Sequence, residues 1–273
     1  METPSFLMCE PTYFAVNYVI NPWMAAHVNN IDHSRALQQW QDFYQCLTQY
    51  VTVHLVEPQP QLPDFVFTAN AALIKNKRCV LSHFRHPERQ LEEPFYKQWF
   101  AAHDYEAIEI PDQIYFEGEG DALFQPDGEL LWMGYGIRSD KKASEHLTAF
   151  FHIPVATLKL IDEKFYHLDT CFFPLRHGYV MYYPAAFDRE ANQLIEQQVP
   201  KEKRILVSEE DAHHFACNAV LIPKQNHFGI IIMNYASNSL QRELTELGYE
   251  LIIQPVDEFM KAGGANKCLT LII

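Results

Sequence analysis

The sequence has no apolar run approaching the ~20 residues needed to cross a bilayer, so a membrane-embedded chain is not expected. Its first residues, Met1-Glu2-Thr3-Pro4, lack the basic-then-apolar pattern of a secretion signal. The cysteines, at positions 9, 46, 79, 171, 217 and 268, form no Cys-x-x-Cys pair. That argues against a disulfide framework and a zinc site, and fits a reducing, cytoplasmic setting. Positive charge is short as well: 21 Lys and Arg face 35 Asp and Glu, for a formal net charge of −14. The balance disfavours nucleic acid or an anionic membrane as partner and is compatible with a small cationic substrate. No Gly-x-x-x-x-Gly-Lys or Rossmann glycine pattern precedes a helix, and there is no His-Glu-x-x-His. The adjacent His213 and His214 are poorly placed to share a metal ion. Neither a metal nor a cofactor is expected.

What is present is a folded composition, 48% hydrophobic and 21% charged, long enough for a sizeable core. A repeat of roughly 50 residues runs through it. Short apolar, β-branched runs pair as hairpins over 71–74 and 79–82, 121–124 and 130–135 (around Pro126-Asp127-Gly128), 170–173 and 179–183, and 218–222 and 228–233. A fifth hairpin is split, with residues 268–273 pairing near 5–9. Helical spacing follows over 33–50, 87–103, 143–151, 188–198 and 237–247, as in Ala36, Trp40, Phe43, Tyr44 and Leu47. A strand succeeds each helix, at 53–56, 107–110, 156–160, 205–207 and 251–253. Five such units, the last completed by the other chain end, imply a single α/β domain over 1–273 closed as a five-bladed pseudo-symmetric propeller. The bland alternative is an ordinary α/β sandwich with accidental spacing.

Polar residues recur just before the first strand of each hairpin: Asp64 and Asn70, Glu117 and Asp121, His167 and Asp169, Asn218, and Cys268. In a closed ring these positions converge, which would assemble one pocket from distant segments. Cys268 follows Gly263-Gly264-Ala265-Asn266-Lys267, where glycines permit close backbone approach. Its bland reading is a small buried residue opening a strand, and the other five cysteines are left with that reading. Period-two alternation in Phe165-Tyr166-His167-Leu168-Asp169 puts His167 and Asp169 on one face of an extended segment. Glu117 lies in Phe116-Glu117-Gly118-Glu119-Gly120-Asp121, either a solvated turn or carboxylates pointing into the ring.

As an ordered set these motifs resemble the guanidino-group-modifying superfamily of arginine deiminases, dimethylarginine dimethylaminohydrolases, amidinotransferases and arginine dihydrolases. The likeness includes Ile20-Asn21-Pro22-Trp23-Met24, residues 63–70, Tyr135-Gly136-Ile137-Arg138-Ser139, His167-Leu168-Asp169 and the Cys268 segment. It implies the pentein fold, a five-bladed α/β propeller. It also implies Cys268 as nucleophile, His167 as general acid/base and Glu117 as its orienting carboxylate, with Glu119 a rival. Asp64 and Asp169 match residues that grip the guanidinium, Arg138 and Arg89 those that bind the α-carboxylate, and Asn21 a further substrate contact.

The chemistry suits those roles. A guanidinium is cationic at any physiological pH, and paired carboxylates can hold its planar fork. A thiolate can then attack its electron-poor carbon without a metal or cofactor. Asn70 and the segment around Cys268 look most like the arginine dihydrolases, in which the ureido product is cleaved again to ornithine. A neutral amide at Asn70 can bind both a guanidinium and a neutral ureido group. The long helical insertion of many deiminases is absent, and so is the C-terminal extension of bifunctional cyanobacterial dihydrolases, so onward conversion of ornithine is not expected of these residues. One-step hydrolysis to citrulline, amidino transfer to an amine, and a non-catalytic propeller binding protein stay open, as does self-association into a homo-oligomer.

Overall fold

In the computed structural model, residues 4–126, 128–224 and 228–273 are described; Met1–Thr3 and Asp127 of the expected 126–128 turn lie outside them. The chain forms two compact units, residues 1–68 with 207–273 and residues 69–206.

The first unit opens with β1 (Ser5–Cys9), α1 (His33–Thr48) and β2 (Thr52–Val56). Asp32 caps α1 by accepting the Arg35 N–H, and Ala36, Trp40, Phe43, Cys46 and Leu47 are its buried stripe.

The second unit holds three sheets. The first runs β3 (Ala72–Lys75), β4 (Arg78–Leu81), α2 (Pro87–Gln90), α3 (Glu93–Ala102) and β5 (Glu106–Ile108). The helix expected over 87–103 is therefore two pieces. Pro94 has no N–H with which to bond back across the junction, so the first piece ends before it. A short helical turn, α4 (Gly118–Asp121), leads into β6 (Ala122–Phe124), β7 (Leu131–Tyr135), α5 (Ala143–Phe151) and β8 (Val155–Lys159). The third sheet is β9 (Phe172–Pro174), β10 (Val180–Tyr182), α6 (Arg189–Gln198) and β11 (Arg204–Leu206).

The chain then returns to the first unit through α7 (Glu209–His213), β12 (Val220–Ile222), β13 (Gly229–Met233), α8 (Asn238–Glu246), β14 (Tyr249–Ile253), α9 (Asp257–Met260) and β15 (Leu271–Ile272). Ser208 and Ser237 cap α7 and α8.

All five sheets share one plan. A middle strand pairs antiparallel with its hairpin partner and parallel with the strand that follows the helix: β3-β4-β5, β6-β7-β8, β9-β10-β11 and β12-β13-β14. The fifth is β15-β1-β2, where Phe6 faces Ile272 and Leu7 faces Leu271, so the two chain ends complete one repeat as expected.

Two local expectations fail. His167 is extended, but Leu168–Thr170 wind into a 3-10 turn, so alternation does not set the direction of Asp169. The Thr170 hydroxyl donates to the His167 carbonyl at 2.7 Å and closes that turn locally. Likewise Cys268 does not open a strand: β15 starts at Leu271, and the Leu269 and Thr270 N–H groups reach back to the Ala265 and Lys267 carbonyls.

Candidate active site

Each unit carries part of the predicted set. In the second unit, Glu117 is fully buried at the start of α4. Its Oε2 lies 2.6 Å from His167 Nε2 and accepts from Arg138 Nη1 at 3.0 Å, while Oε1 accepts the Arg85 N–H at 3.1 Å. Glu119 is buried too, but Glu117 is the carboxylate paired with His167. Arg138 packs its guanidinium 4.5 Å over the Tyr166 ring. Arg89 is equally enclosed. Its Nε and Nη2 bind Glu92 at 2.8 Å each, and its Nη1 donates to Asn70 Oδ1 at 2.6 Å. Asp169 is buried in the turn beside His167.

Two further groups hold this array. The Ser139 hydroxyl accepts the Glu117 N–H at 3.0 Å and donates to Asp121 Oδ2 at 2.6 Å. Asp121 Oδ1 accepts the Leu168 N–H at 3.1 Å. Glu117 and His167 thus share one buried scaffold. Gly120 lies against it, since a Cβ there would come 2.2 Å from Asn70 Nδ2 and 3.1 Å from His167 Nδ1. Any other residue would collide with the amide.

Electrostatics then set the protonation states. Burial pushes His167 down to about 4, against the hydrogen bond and charge of Glu117, with Arg138 and Arg89 adding to the depression. Burial alone would raise Glu117, but the Arg138 charge and the His167 hydrogen bond hold it well below the usual carboxylate range. Asp121 goes the other way: burial and the Glu117 charge raise it well above the ordinary value. At neutral pH His167 is therefore a neutral imidazole donating Nε2–H to an ionised Glu117. Its Nδ1, which has no hydrogen-bond partner among the described residues, is the proton-accepting atom.

In the first unit, Cys268 is 2% exposed and sits in the turn before β15. The Asn218 amide donates to its Sγ at 3.1 Å, and Asn218 Oδ1 accepts the Cys268 N–H at 3.1 Å. Gly264 is required by close packing: a Cβ there would come 2.7 Å from the Phe67 ring and 3.0 Å from Cys268 Cβ. Asp64 is buried, with Oδ2 accepting from the Tyr18 hydroxyl at 2.8 Å. Asn21 braces the turn ahead of Gly263: its Nδ2 donates to the Ala262 carbonyl at 2.9 Å, and its Oδ1 accepts the Trp23 and Met24 N–H groups. By contrast, burial drives the thiols of Cys79 and Cys217 above the usual range, which suits inert packing. Among the described residues no cluster of three or more His, Cys, Asp or Glu could hold a metal ion, and no helix is long and apolar enough to cross a membrane.

Residues 10–273 match the sequence profile of the family described as N,N dimethylarginine dimethylhydrolase, eukaryotic. The chain belongs to this family. Within the family's wider, guanidino-group-modifying superfamily it is 50% identical, over 97% of its length, to the bifunctional arginine dihydrolase/ornithine cyclodeaminase AgrE of Nostoc sp.. It spans 37% of the length of that relative. It is 35% identical over 100% of its length to the N(G),N(G)-dimethylarginine dimethylaminohydrolase of Mycobacterium tuberculosis, of which it covers 86%. The crystal structure of the N-terminal domain of ArgZ bound to substrate, an arginine dihydrolase from the ornithine-ammonia cycle in cyanobacteria, matches with a TM-score of 0.95. That match has 47% identity and covers 98% of this chain and 97% of the other. The family's fold class is the pentein propeller, mixed α/β with five small sheets, as the repeat implied.

The sequence reading placed Asp121 and Asn218 among the recurring polar residues without assigning their partners, and missed Ser139 in the scaffold and Glu92 as the partner of Arg89. Glu92 had a local signal, standing three residues after Arg89 on a helical stretch.

Proposed function

We propose that this chain hydrolyses the guanidino group of L-arginine through a covalent Cys268 intermediate, giving ornithine, carbon dioxide and two ammonia. The observation that carries this reading is the buried Glu117–His167 pair, with Nε2 committed to the carboxylate and Nδ1 left to move protons. The similarity to AgrE and to the ArgZ domain supports arginine as the substrate.

In this mechanism Nδ1 of His167 takes the Cys268 proton, and Sγ attacks the guanidinium carbon. The imidazolium formed is stabilised by Glu117 and returns the proton to the departing nitrogen, which leaves as ammonia. Water then adds to the amidino-thioether, His167 acting as base, and the thiolate is expelled from citrulline. In a second passage Cys268 displaces the second ammonia from the citrulline carbonyl to give a thiocarbamate, and water cleaves this to a carbamate that decomposes to ornithine and carbon dioxide. Asp64 and Asp169 grip the guanidinium by paired hydrogen bonds. Asn70, a neutral amide, accepts both the cationic and the ureido substrate. Arg138 and Arg89 bind the α-carboxylate and keep the field at Glu117 positive, and Asn21 is a further contact. A cytoplasmic setting suits the thiol nucleophile.

The family profile and the mycobacterial relative favour a second reading, one-step hydrolysis of methylated arginine. Incubation with arginine while citrulline, ornithine and ammonia are followed separates the two. Ornithine with about two ammonia per arginine, lost in Cys268→Ala, is expected for the two-round mechanism. Citrulline alone would leave a deiminase. Inertness toward arginine with release of dimethylamine from dimethylarginine would establish the second reading.

A further inference from the structure

Asn218 stands two residues before β12, is fully buried, and lies outside the residue set that the family resemblance assigns to chemistry. Its contacts are concentrated on one turn. Oδ1 accepts the N–H groups of Ala265 at 3.0 Å and Cys268 at 3.1 Å, and its backbone carbonyl accepts the Lys267 N–H at 3.1 Å. The remaining end of the side chain, Nδ2, donates to Cys268 Sγ at 3.1 Å. One amide therefore fixes the backbone of the nucleophile's turn and aims a hydrogen at its sulfur.

The arrangement recurs through the repeat. Asn70, two residues before β3, points Nδ2 at the Glu117 carbonyl, and Asp121, just before β6, accepts the Leu168 N–H beside His167. Each of these bonds, like that of Asn218 to Ala265, spans 47 residues, one repeat of the chain. In each case the polar residue at the foot of one hairpin holds the reactive turn of the next repeat. At Asn70 and Asp121 the bond reaches only backbone. At Asn218 it also reaches the reactive atom.

We propose that Asn218 is the positioning residue for Cys268 and donates the hydrogen bond that stabilises its thiolate. The proposal rests on Cys268 being the nucleophile. A donor facing sulfur favours the charged form and lowers the pH at which the thiol becomes reactive. The two ends of the amide can be separated by substitution. Asn218→Asp keeps an acceptor for both N–H groups but replaces the donor with an oxygen facing Sγ.

The test uses the full chain and measures alkylation of Cys268 by iodoacetamide against pH, read at the Cys268 peptide by mass spectrometry, alongside kcat and KM. In Asn218→Asp the alkylation profile should move to higher pH by about one unit or more. The rate at pH 7 should fall ~10-fold, and kcat should drop in parallel with KM little changed. Raising the pH should restore much of the loss, which a merely misfolded turn would not allow. If the buried carboxylate prevents folding, Asn218→Ala removes the donor without adding charge and should show the same displacement. A wild-type alkylation profile in either folded variant overturns the proposal. If the profile moves while the wild-type chain is inert toward arginine and methylated arginine, Asn218 keeps its role and the proposed function fails.

Discussion

The two units hold their candidate reactive side chains by opposite physical means. In residues 69–206 the His167 ring is held by charge. Glu117, Arg138, Arg89 and Glu92 are all nearly inaccessible, and His167 depends on them for orientation and protonation state. In the other unit Cys268 is held by a neutral amide and by close packing around Gly264. A buried ion network is costly to assemble and more costly to interrupt, because removing one partner strands the others without solvent. An amide with its acceptor and donor satisfied fixes geometry without that vulnerability. The proposed roles match this contrast: proton transfer needs a tuned charge environment, whereas a nucleophile needs a precise position.

The contrast is broken most readily at Glu117. Glu117→Gln should lower kcat by ~10²–10⁴ and, by leaving Arg138 buried without its carboxylate, destabilise the fold by about 3–5 kcal/mol. Cys268→Ala should abolish turnover with a far smaller loss in chemical denaturation. Equal destabilisation by the two substitutions would erase the proposed difference between the units.

An effect of intermediate size concerns pH. His167 is depressed to about 4 in the folded state, against about 6.5 unfolded. Between these values the unfolded chain binds the extra proton, so this contribution to stability is complete above about pH 6.5 and is lost as pH falls toward 4. The loss for one group is at most ~1.4 kcal/mol per pH unit. Denaturation midpoints for wild type and His167→Asn, taken at neutral and mildly acidic pH, should diverge in neutral solution and converge on acidification. Parallel curves would mean that His167 is not held neutral.

The smallest effect is expected at Asp121. Burial and the Glu117 charge raise its carboxyl well above the ordinary value, so removing its charge costs less than at Glu117. Asp121→Asn should therefore cost less than ~1 kcal/mol, keeping an acceptor for Leu168 and a polar partner for Ser139. A loss comparable with Glu117→Gln would show that Asp121 is ionised and part of the charged network.

Much of this was legible in one dimension. Apolar alternation and helical spacing are local signals, so the hairpin–helix–strand order and the pairing of the chain ends could be read from the residues. Cys268, His167 and Glu117 stood out as an ordered set. The errors fell where side chains compete with the backbone for hydrogen bonds. Thr170 closes a turn after His167, and the turn carrying Cys268 replaces the start of the expected strand. At residues 87–103 the helical spacing continues through Pro94, but its missing N–H divides the helix in two.

The sequence by itself determined the repeat and the class of fold, because apolar alternation and helical spacing depend on neighbours within a few positions. Only the tertiary structure decided that Glu117 and not Glu119 pairs with His167, that the Asp121 carboxyl is raised while that of Glu117 is lowered, and that the Asn218 amide meets Cys268 Sγ. Those outcomes depend on desolvation and on partners a whole repeat away along the chain, and neither quantity exists until the chain has folded.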